Sequence, residues 1–288
     1  YIKKHQMRYK PMLAYPVSDK PIDYSKPVFI QPKLDGVRCL IQYDNSKVTA
    51  YSRTGKEWKN IDHILENLAP WFENNKTTVL DGELYNHDLR DDFETIISLV
   101  RRQDPDDIDM LESRDLVQFH CYDIIHPDNS PFEDRNRFVK YCVEKSSPYV
   151  HTVSTMLCAS DEDAKEIHAV NLECGFEGSI LRTNDVYHQK RTHSLRKFKD
   201  FHDTEATIIG FVEGKGKRKG TLGKFLMRDA DGIEFGCPPG KGYNYKDLSN
   251  LLHRAKHYIG ATATFTYFER TKAGSYRHPL FKCIRDYE

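Results

Sequence analysis

"QPKLDGVRCLI", Gln31–Ile41, sets a lysine inside what otherwise reads as a buried strand and follows it at once with Asp35-Gly36 and Arg38. A lysine of ordinary pKa, about 10.4, is protonated at neutral pH and attacks nothing. It becomes a nucleophile where desolvation and neighbouring cations favour the neutral amine. Val28, Phe29, Ile30, Leu34 and Val37 would supply the first condition, and Arg38 with any bound metal the second. Taken alone, the stretch is as well explained by an edge-strand lysine beside an ordinary Asp-Gly turn, because three or four fixed letters recur by chance.

The surrounding chain narrows the choice. At 288 residues it fits two modest domains. Lys plus Arg and Asp plus Glu both number 43, so any nucleic-acid surface must come from local charge rather than the total. No apolar run is long enough for a membrane helix, and the basic, polar start "YIKKHQMRYK" is not signal-like, so a soluble cytoplasmic protein without a membrane partner is expected. Seven cysteines scattered singly, with no C-x-x-C pair, argue against a disulfide framework or zinc ribbon and for a reducing compartment.

Residues 28–58 read as strand, turn "DNSK", strand. Helices are expected over "IDHILENLAPWFEN", residues 92–102, residues 135–145 and residues 160–174, the last with Ser160 and Asp163 at its start and Gly175 as its stop. "RRQDPDDIDMLESRD" reads as a solvated acidic loop facing away from any DNA. This irregular mixture predicts an α+β domain over residues 1–202. From there "TEATIIGFVEGKGKRKG", "TLGKFLMRDADGIEFGCPPG" and "ATATFTYFERTKAGS" read as short strands with Gly-rich turns around one helix, "NYKDLSNLLHRAKHYIG". A small all-β barrel of the OB kind with one inserted helix is predicted over residues 203–288.

Further stretches change the weight given to Lys33. "SRTGK" carries Arg53 and Lys56 on a turn; "LDGEL" presents Glu83 after an Asp-Gly bend; "FEGSILR" sets Glu177 next to Gly178, whose missing side chain would let a ligand approach the backbone. "RKFKD" alternates Lys197 and Lys199 around Phe198, so both ammoniums share one strand face. Two strand carboxylates suit a hard cation such as Mg²⁺ or Mn²⁺, and paired lysines with arginines suit a polyphosphate. Tyr122 in "FHCYDII" offers a ring for a base, or serves as an ordinary core aromatic.

In order and approximate spacing, K-x-D-G-x-R, S-R-x-G-K, D-G-E, an aromatic-Asp strand, E-G-x-x-x-R and K-x-K resemble the nucleotidyltransferase motifs shared by ATP-dependent DNA ligases, RNA ligases and mRNA capping enzymes. The match spans Gln31–Lys199, with an OB-like domain following. "KPMLA" and the ending "YIGATATFTYFERTKAGSYRHPLFKCIRDYE" look most like the compact DNA ligases of phages and large DNA viruses. Nothing resembles the zinc finger or helix-hairpin-helix region of NAD-dependent ligases, and there is no room for the large N-terminal DNA-binding domain of cellular ones. A minimal, monomeric two-domain enzyme is therefore expected.

That resemblance implies ATP and a divalent metal as cofactors and nicked duplex DNA as partner. It makes Lys33 the residue that is adenylated. It places Arg38 and Glu83 at the ribose or nick termini and Arg53 on a phosphate or sugar oxygen. Glu177, with Glu83, would hold the metal, and Lys197 and Lys199 would neutralise phosphates. Tyr122 would stack on adenine, and Gln31 would read its exocyclic amine through the side-chain carbonyl. The final ligase motif usually reads R-x-D-K; Arg285-Asp286 stand nearest to it, with no lysine after them. DNA engagement is assigned to Lys215, Lys217, Arg218 and Lys219 on a Gly-rich loop, mobile when free, with Lys224 nearby and the basic N-terminus (Lys3, Lys4, Arg8, Lys10) as a weaker second patch. An RNA ligase or GTP-using capping enzyme acting through the same lysine is the nearest rival, and a non-catalytic nucleic-acid-binding protein on this scaffold is the rival from another class.

Overall fold

A computed structural model describes residues 6–143 and 147–288, which form two compact units, one of residues up to Lys199 together with Glu288 and one of Asp200–Tyr287. Lys3 and Lys4 of the basic N-terminal patch, and Lys145 at the end of one expected helix, lie outside the described residues.

The first unit begins with β1 (Leu13–Pro16), β2 (Val28–Lys33), β3 (Val37–Asp44), β4 (Lys47–Tyr51), α1 (Asp62–Glu73) and β5 (Val79–Tyr85). It continues with α2 (Phe93–Val100), α3 (Asp107–Leu116), β6 (Gln118–Ile125), α4 (Phe132–Cys142), β7 (Val150–Thr152) and β8 (Met156–Cys158). α5 (Asp161–Glu173), β9 (Gly178–Thr183) and β10 (Arg191–Phe198) complete it. Two mixed five-stranded sheets result, ordered β1-β10-β9-β2-β8 and β4-β3-β5-β6-β7.

The stretch expected to be one strand is two. β2 and β3 belong to different sheets, and residues 34–36 carry the chain between them, so the K-x-D-G-x-R motif straddles the junction. Leu40, Val79 and Ile125 of one sheet pack with Leu195 of the other, Met12 and Tyr187 in a shared apolar layer. On its other side the first sheet buries Val28, Ile30 and Leu181 with Ala164 of α5 and the ring of Phe198. The β3–β4 hairpin turns on Asn45 and Ser46, both at positive φ.

The acidic stretch is not a loop. Its residues 107–116 are α3, started by a full capping box in which Asp106 and Asp109 each accept from the other's backbone N–H. The D-x-x-D signal was present in the sequence; with carboxylates on both sides of it, charge obscured the cap.

The second unit is β11 (His202–Glu213), β12 (Leu222–Arg228), β13 (Glu234–Cys237), α6 (Tyr245–Tyr258), β14 (Thr262–Tyr267), β15 (Glu269–Arg270), β16 (Tyr276–Arg277) and β17 (Leu280–Ile284). Its antiparallel sheet runs β13-β12-β11-β14-β17. The two ends approach each other: Phe281 N–H donates to the Pro238 carbonyl at 2.7 Å and Gly240 N–H to the Phe281 carbonyl at 2.9 Å, closing a barrel. Two register shifts let the long β11 curl between its neighbours. Phe225, Phe265 and Phe281 fill the interior. The single helix falls between β13 and β14 and is followed by Gly260 at positive φ, as the sequence led one to expect, and Asn244 caps its start.

Candidate active site

Lys33 ends β2, with Gly178 of β9 opposite. Its Nζ lies 3.1 Å from Glu177 Oε2, and the ammonium of Lys199 lies 2.5 Å from Glu177 Oε1. One nearly buried carboxylate (6% exposed) thus bridges two lysines, one ending β2 and one just past the end of β10, with β9 between the two strands. This corrects the expected environment of Lys33. Val28 and Ile30 of β2 face the core instead of wrapping the amine, and a carboxylate stands 3.1 Å from it.

Arg38, on β3, is held by Asp81 of β5 in a two-pronged pair, Nε–Oδ1 2.6 Å and Nη2–Oδ2 2.7 Å, and Nη2 also donates to the Met12 carbonyl. Tyr187 donates its hydroxyl to the same carboxylate at 2.7 Å. Glu83 lies opposite Arg38 in the β3–β5 ladder and accepts from the Tyr122 hydroxyl at 3.0 Å. Burial pushes its carboxyl up to about 7, against the pull of Arg38, Lys33 and the tyrosine hydroxyl. A half-buried carboxylate whose charge is disfavoured by desolvation would gain from a cation, and Glu177 supplies a second hard oxygen donor. Among the described residues no group of three His, Cys, Asp or Glu side chains converges. A cation here would therefore complete its shell with phosphate oxygens and water, as Mg²⁺ commonly does.

Sequence reasoning missed the group beneath Tyr122. Asp123, fully buried, accepts from Arg135 of α4 (Nε–Oδ1 2.8 Å, Nη2–Oδ2 3.2 Å) and from Arg182 of β9 (Nη1–Oδ2 2.7 Å). Arg182 also donates Nε to Gln31 Oε1 at 2.8 Å, and its guanidinium and that of Arg38 each lie 5.3 Å from the Tyr122 ring centroid. Arg182 is the last letter of E-G-x-x-x-R, so its position was visible although its partners were not. Between β5 and β6 the register shifts, Asp81 pairing with Asp123 and Gly82 with Cys121, which leaves Tyr122 as the extra, bulged residue. Such a bulge re-aims a side chain, and no period-2 reading of "FHCYDII" would locate it.

The motif glycines do a different job from the one expected. Gly82 is mid-strand in β5 and not a bend, and Gly178 does not leave room for a ligand. A Cβ at Gly36 would stand 2.3 Å from the Leu84 carbonyl oxygen, at Gly82 2.2 Å from that of His120, and at Gly178 2.2 Å from that of Phe198. Each admits a neighbouring backbone.

Lys197 opposes Ile180, which also opposes Gln31, so these three share one sheet face, while Phe198 turns to the other and stacks on His168. Arg53 sits half-buried on the turn after β4. In the second unit, Lys215, Lys217, Arg218 and Lys219 are exposed on a 3₁₀ turn fastened by Gly214 N–H to the Thr221 carbonyl (2.9 Å) and Gly220 N–H to Glu213 Oε1 (2.8 Å). The loop therefore has hydrogen-bonded structure of its own. Arg285 follows β17, its guanidinium 5.1 Å from the Tyr287 ring centroid, and Asp286 is exposed.

The model of the ATP dependent DNA ligase domain matches residues 11–199, and that of the DNA ligase OB-like domain matches residues 213–285. A DNA ligase of Halobacterium salinarum is 28% identical over 252 residues, covering 80% of this chain and 43% of its own. One of Thermococcus fumicolans is 25% identical over 270 residues, covering 87% and 47%. The chain thus spans less than half the length of these curated relatives. Among solved structures, a Lig E DNA ligase superposes with a TM-score of 0.54 at 25% identity, over 96% of this chain and 99% of that one. Mycobacterial DNA ligase D complexed with ATP and MES gives a TM-score of 0.61 at 22% identity, over 96% and 95%, a likeness of fold.

Proposed function

The chain belongs to the ATP-dependent DNA ligase family, an adenylation domain followed by an OB-like domain, and from that premise we propose that it seals nicks in duplex DNA through a lysyl-AMP intermediate on Lys33. The observation that carries this reading is the Lys33–Glu177–Lys199 bridge, with Lys33 Nζ 3.1 Å from Glu177 and held at the end of a strand inside the matched domain. ATP entering this site brings its own negative charge to Lys199 and Lys197. Lys33, released from Glu177 and its ammonium proton passed to water, attacks the α-phosphorus: an N–P bond forms, the bond to the bridging β-phosphate oxygen breaks, a second nitrogen proton goes to solvent, and pyrophosphate leaves. AMP then passes to the 5′-phosphate at a nick, and the 3′-hydroxyl displaces it. These are in-line displacements, so the residues act by positioning and charge neutralisation.

A divalent cation held by Glu177 and Glu83 would supply electrostatic stabilisation of the phosphate oxygens. Arg38, already anchored by Asp81, would offer its Nη1 to the ribose or the nick, Arg53 would meet a phosphate or sugar oxygen, and Tyr122 and Gln31 would hold adenine. Lys215, Lys217, Arg218 and Lys219 would take backbone phosphates, and Arg285-Asp286 would stand for the final motif. The described cysteines are all free, which fits a reducing, cytoplasmic setting. No helix among the described residues is long and apolar enough to cross a membrane.

The test is incubation with Mg²⁺ and α-labelled ATP or GTP, then with nicked duplexes. Covalent label from ATP on the parent and none on Lys33→Ala, with sealing of nicked DNA, is expected. Absence of label on either protein refutes the enzyme. Label from GTP alone moves the reading to capping, and sealing of RNA nicks alone moves it to an RNA ligase.

A further inference from the structure

We infer that Arg182 is a positioning residue for nucleobase selection: by fixing the side-chain amide of Gln31 in one orientation, it makes the site accept a hydrogen bond at the base's 6-position and unable to donate one. The inference rests on the nucleotidyl-transfer reading above and adds to it the device that separates a 6-amino from a 6-oxo purine.

Gln31 is 2% exposed, so its polar atoms are satisfied by protein and not by water. Both hydrogens of Nε2 are committed, one to the Tyr122 carbonyl at 3.2 Å and one to Thr155 Oγ1 at 3.0 Å. The Thr155 hydroxyl spends its own proton on the Val153 carbonyl at 3.1 Å, so toward Gln31 its oxygen is an acceptor. Oε1 receives Arg182 Nε at 2.8 Å and keeps a second lone pair. A flipped amide would set NH₂ against the guanidinium N–H and a carbonyl against a carbonyl, so the network permits one orientation. Arg182 cannot swing away, because Asp123 holds its Nη1 at 2.7 Å and is itself gripped by Arg135. Gln31 and Lys33 alternate onto the same face of β2, and the Gln31 amide is tied to the Tyr122 main chain, so a base joined to a phosphate at Lys33 would meet this amide. An acceptor-only amide welcomes the amino group of adenine and opposes the carbonyl of hypoxanthine or guanine. Without Arg182, Oε1 loses its fixed donor and the orientation rests on the Tyr122 and Thr155 contacts alone, so the preference for the acceptor orientation falls.

The measurement is the ratio of labelling rates with ATP and with inosine triphosphate, which carries oxygen at position 6 without guanine's 2-amino group, taken on one preparation so that any unfolded fraction cancels. Arg182→Met is expected to lower the ATP preference by about tenfold or more, the scale set when a polar site loses its hydrogen-bond direction. Arg182→Lys, which keeps a donor for Oε1, is expected to hold the ratio closer to the parent's. Thr155→Ala, which leaves Arg182 and Asp123 intact, is expected to shift it in the same direction as Arg182→Met by a smaller factor. A ratio unchanged in both Arg182→Met and Thr155→Ala overturns the inference while leaving nucleotidyl transfer standing. A parent that takes no label overturns both.

Discussion

Replacing Asp123 with asparagine removes the carboxylate that two buried guanidiniums share. Arg135 is 1% exposed, Arg182 3% and Asp123 0%, so water cannot take over the lost charge. Removing one partner of a buried pair costs about 3–5 kcal/mol. Here one anion serves two cations, which points to the upper end, about 5 kcal/mol. The loss is limited because each guanidinium keeps other acceptors: the Ser130 and Asp185 carbonyls for Arg135, and Gln31 Oε1 for Arg182. A unit of this size loses roughly 2–4 °C of melting temperature per kcal/mol, so Asp123→Asn should melt about 10–20 °C lower. The assay is urea denaturation with a thermal scan, against Arg137→Ala as control. Arg137 is 71% exposed and pairs with Asp134 at 3.2 Å on the surface of α4, so its loss should stay within about 0.5 kcal/mol. If Asp123→Asn cost no more than that control, the buried triad would contribute nothing beyond its own desolvation, and the reasoning would fail.

Four further outcomes are expected. Lys33→Met should leave the denaturation midpoint nearly unchanged, because Glu177 keeps Lys199, whereas Glu177→Ala should cost about 2–3 kcal/mol by removing the carboxylate both ammoniums share; equal effects would argue against the bridge. His120 is held neutral by burial and by His151 and His87, its pKa falling to about 3; the unfolded chain takes up the proton below about 6.5, so stability should fall by up to about 1.4 kcal/mol per unit as pH drops from there toward 3, and His120→Gln should flatten that slope in denaturation curves at pH 7, 6 and 5. Asp229 accepts from Tyr276 and from the Asp231 and Ile233 N–H groups, so Asp229→Ala should destabilise the OB unit by about 2 kcal/mol in urea melts, and a neutral result would remove it as a strut. Neutralising Lys215, Lys217, Arg218 and Lys219 should weaken nick binding and shallow its log–log salt dependence by up to about 0.9 per lost phosphate contact, leaving lysyl-AMP formation intact; an unchanged slope would acquit the loop.

Local signals carried the helices whose caps and apolar spacing agreed, such as α5 and α6, and the order of motifs along the first unit. What they could not carry is pairing between residues far apart in the chain. Nothing local to "VFIQPKLDGVRCLIQY" says that its two halves enter different sheets, since both read as apolar strand. Asp81 and Asp123 look like spare carboxylates until the fold brings Arg38, Arg135 and Arg182 to them. Lys33 was expected to sit among cations, and its partner, Glu177, comes from 144 residues away. Charge partners are set by strand register, which is a property of the whole sheet.

Gly36, Gly82 and Gly178 each stand within three residues of a side chain assigned to the chemistry, and each is pressed against a backbone carbonyl. The strands that carry Lys33, Glu83 and Glu177 are therefore held at distances set first by main chain against main chain, where no Cβ can be added. An engineer wishing to widen this site for a bulkier nucleotide would find no room for a larger residue at these three glycines, and would have to change side chains elsewhere in the site.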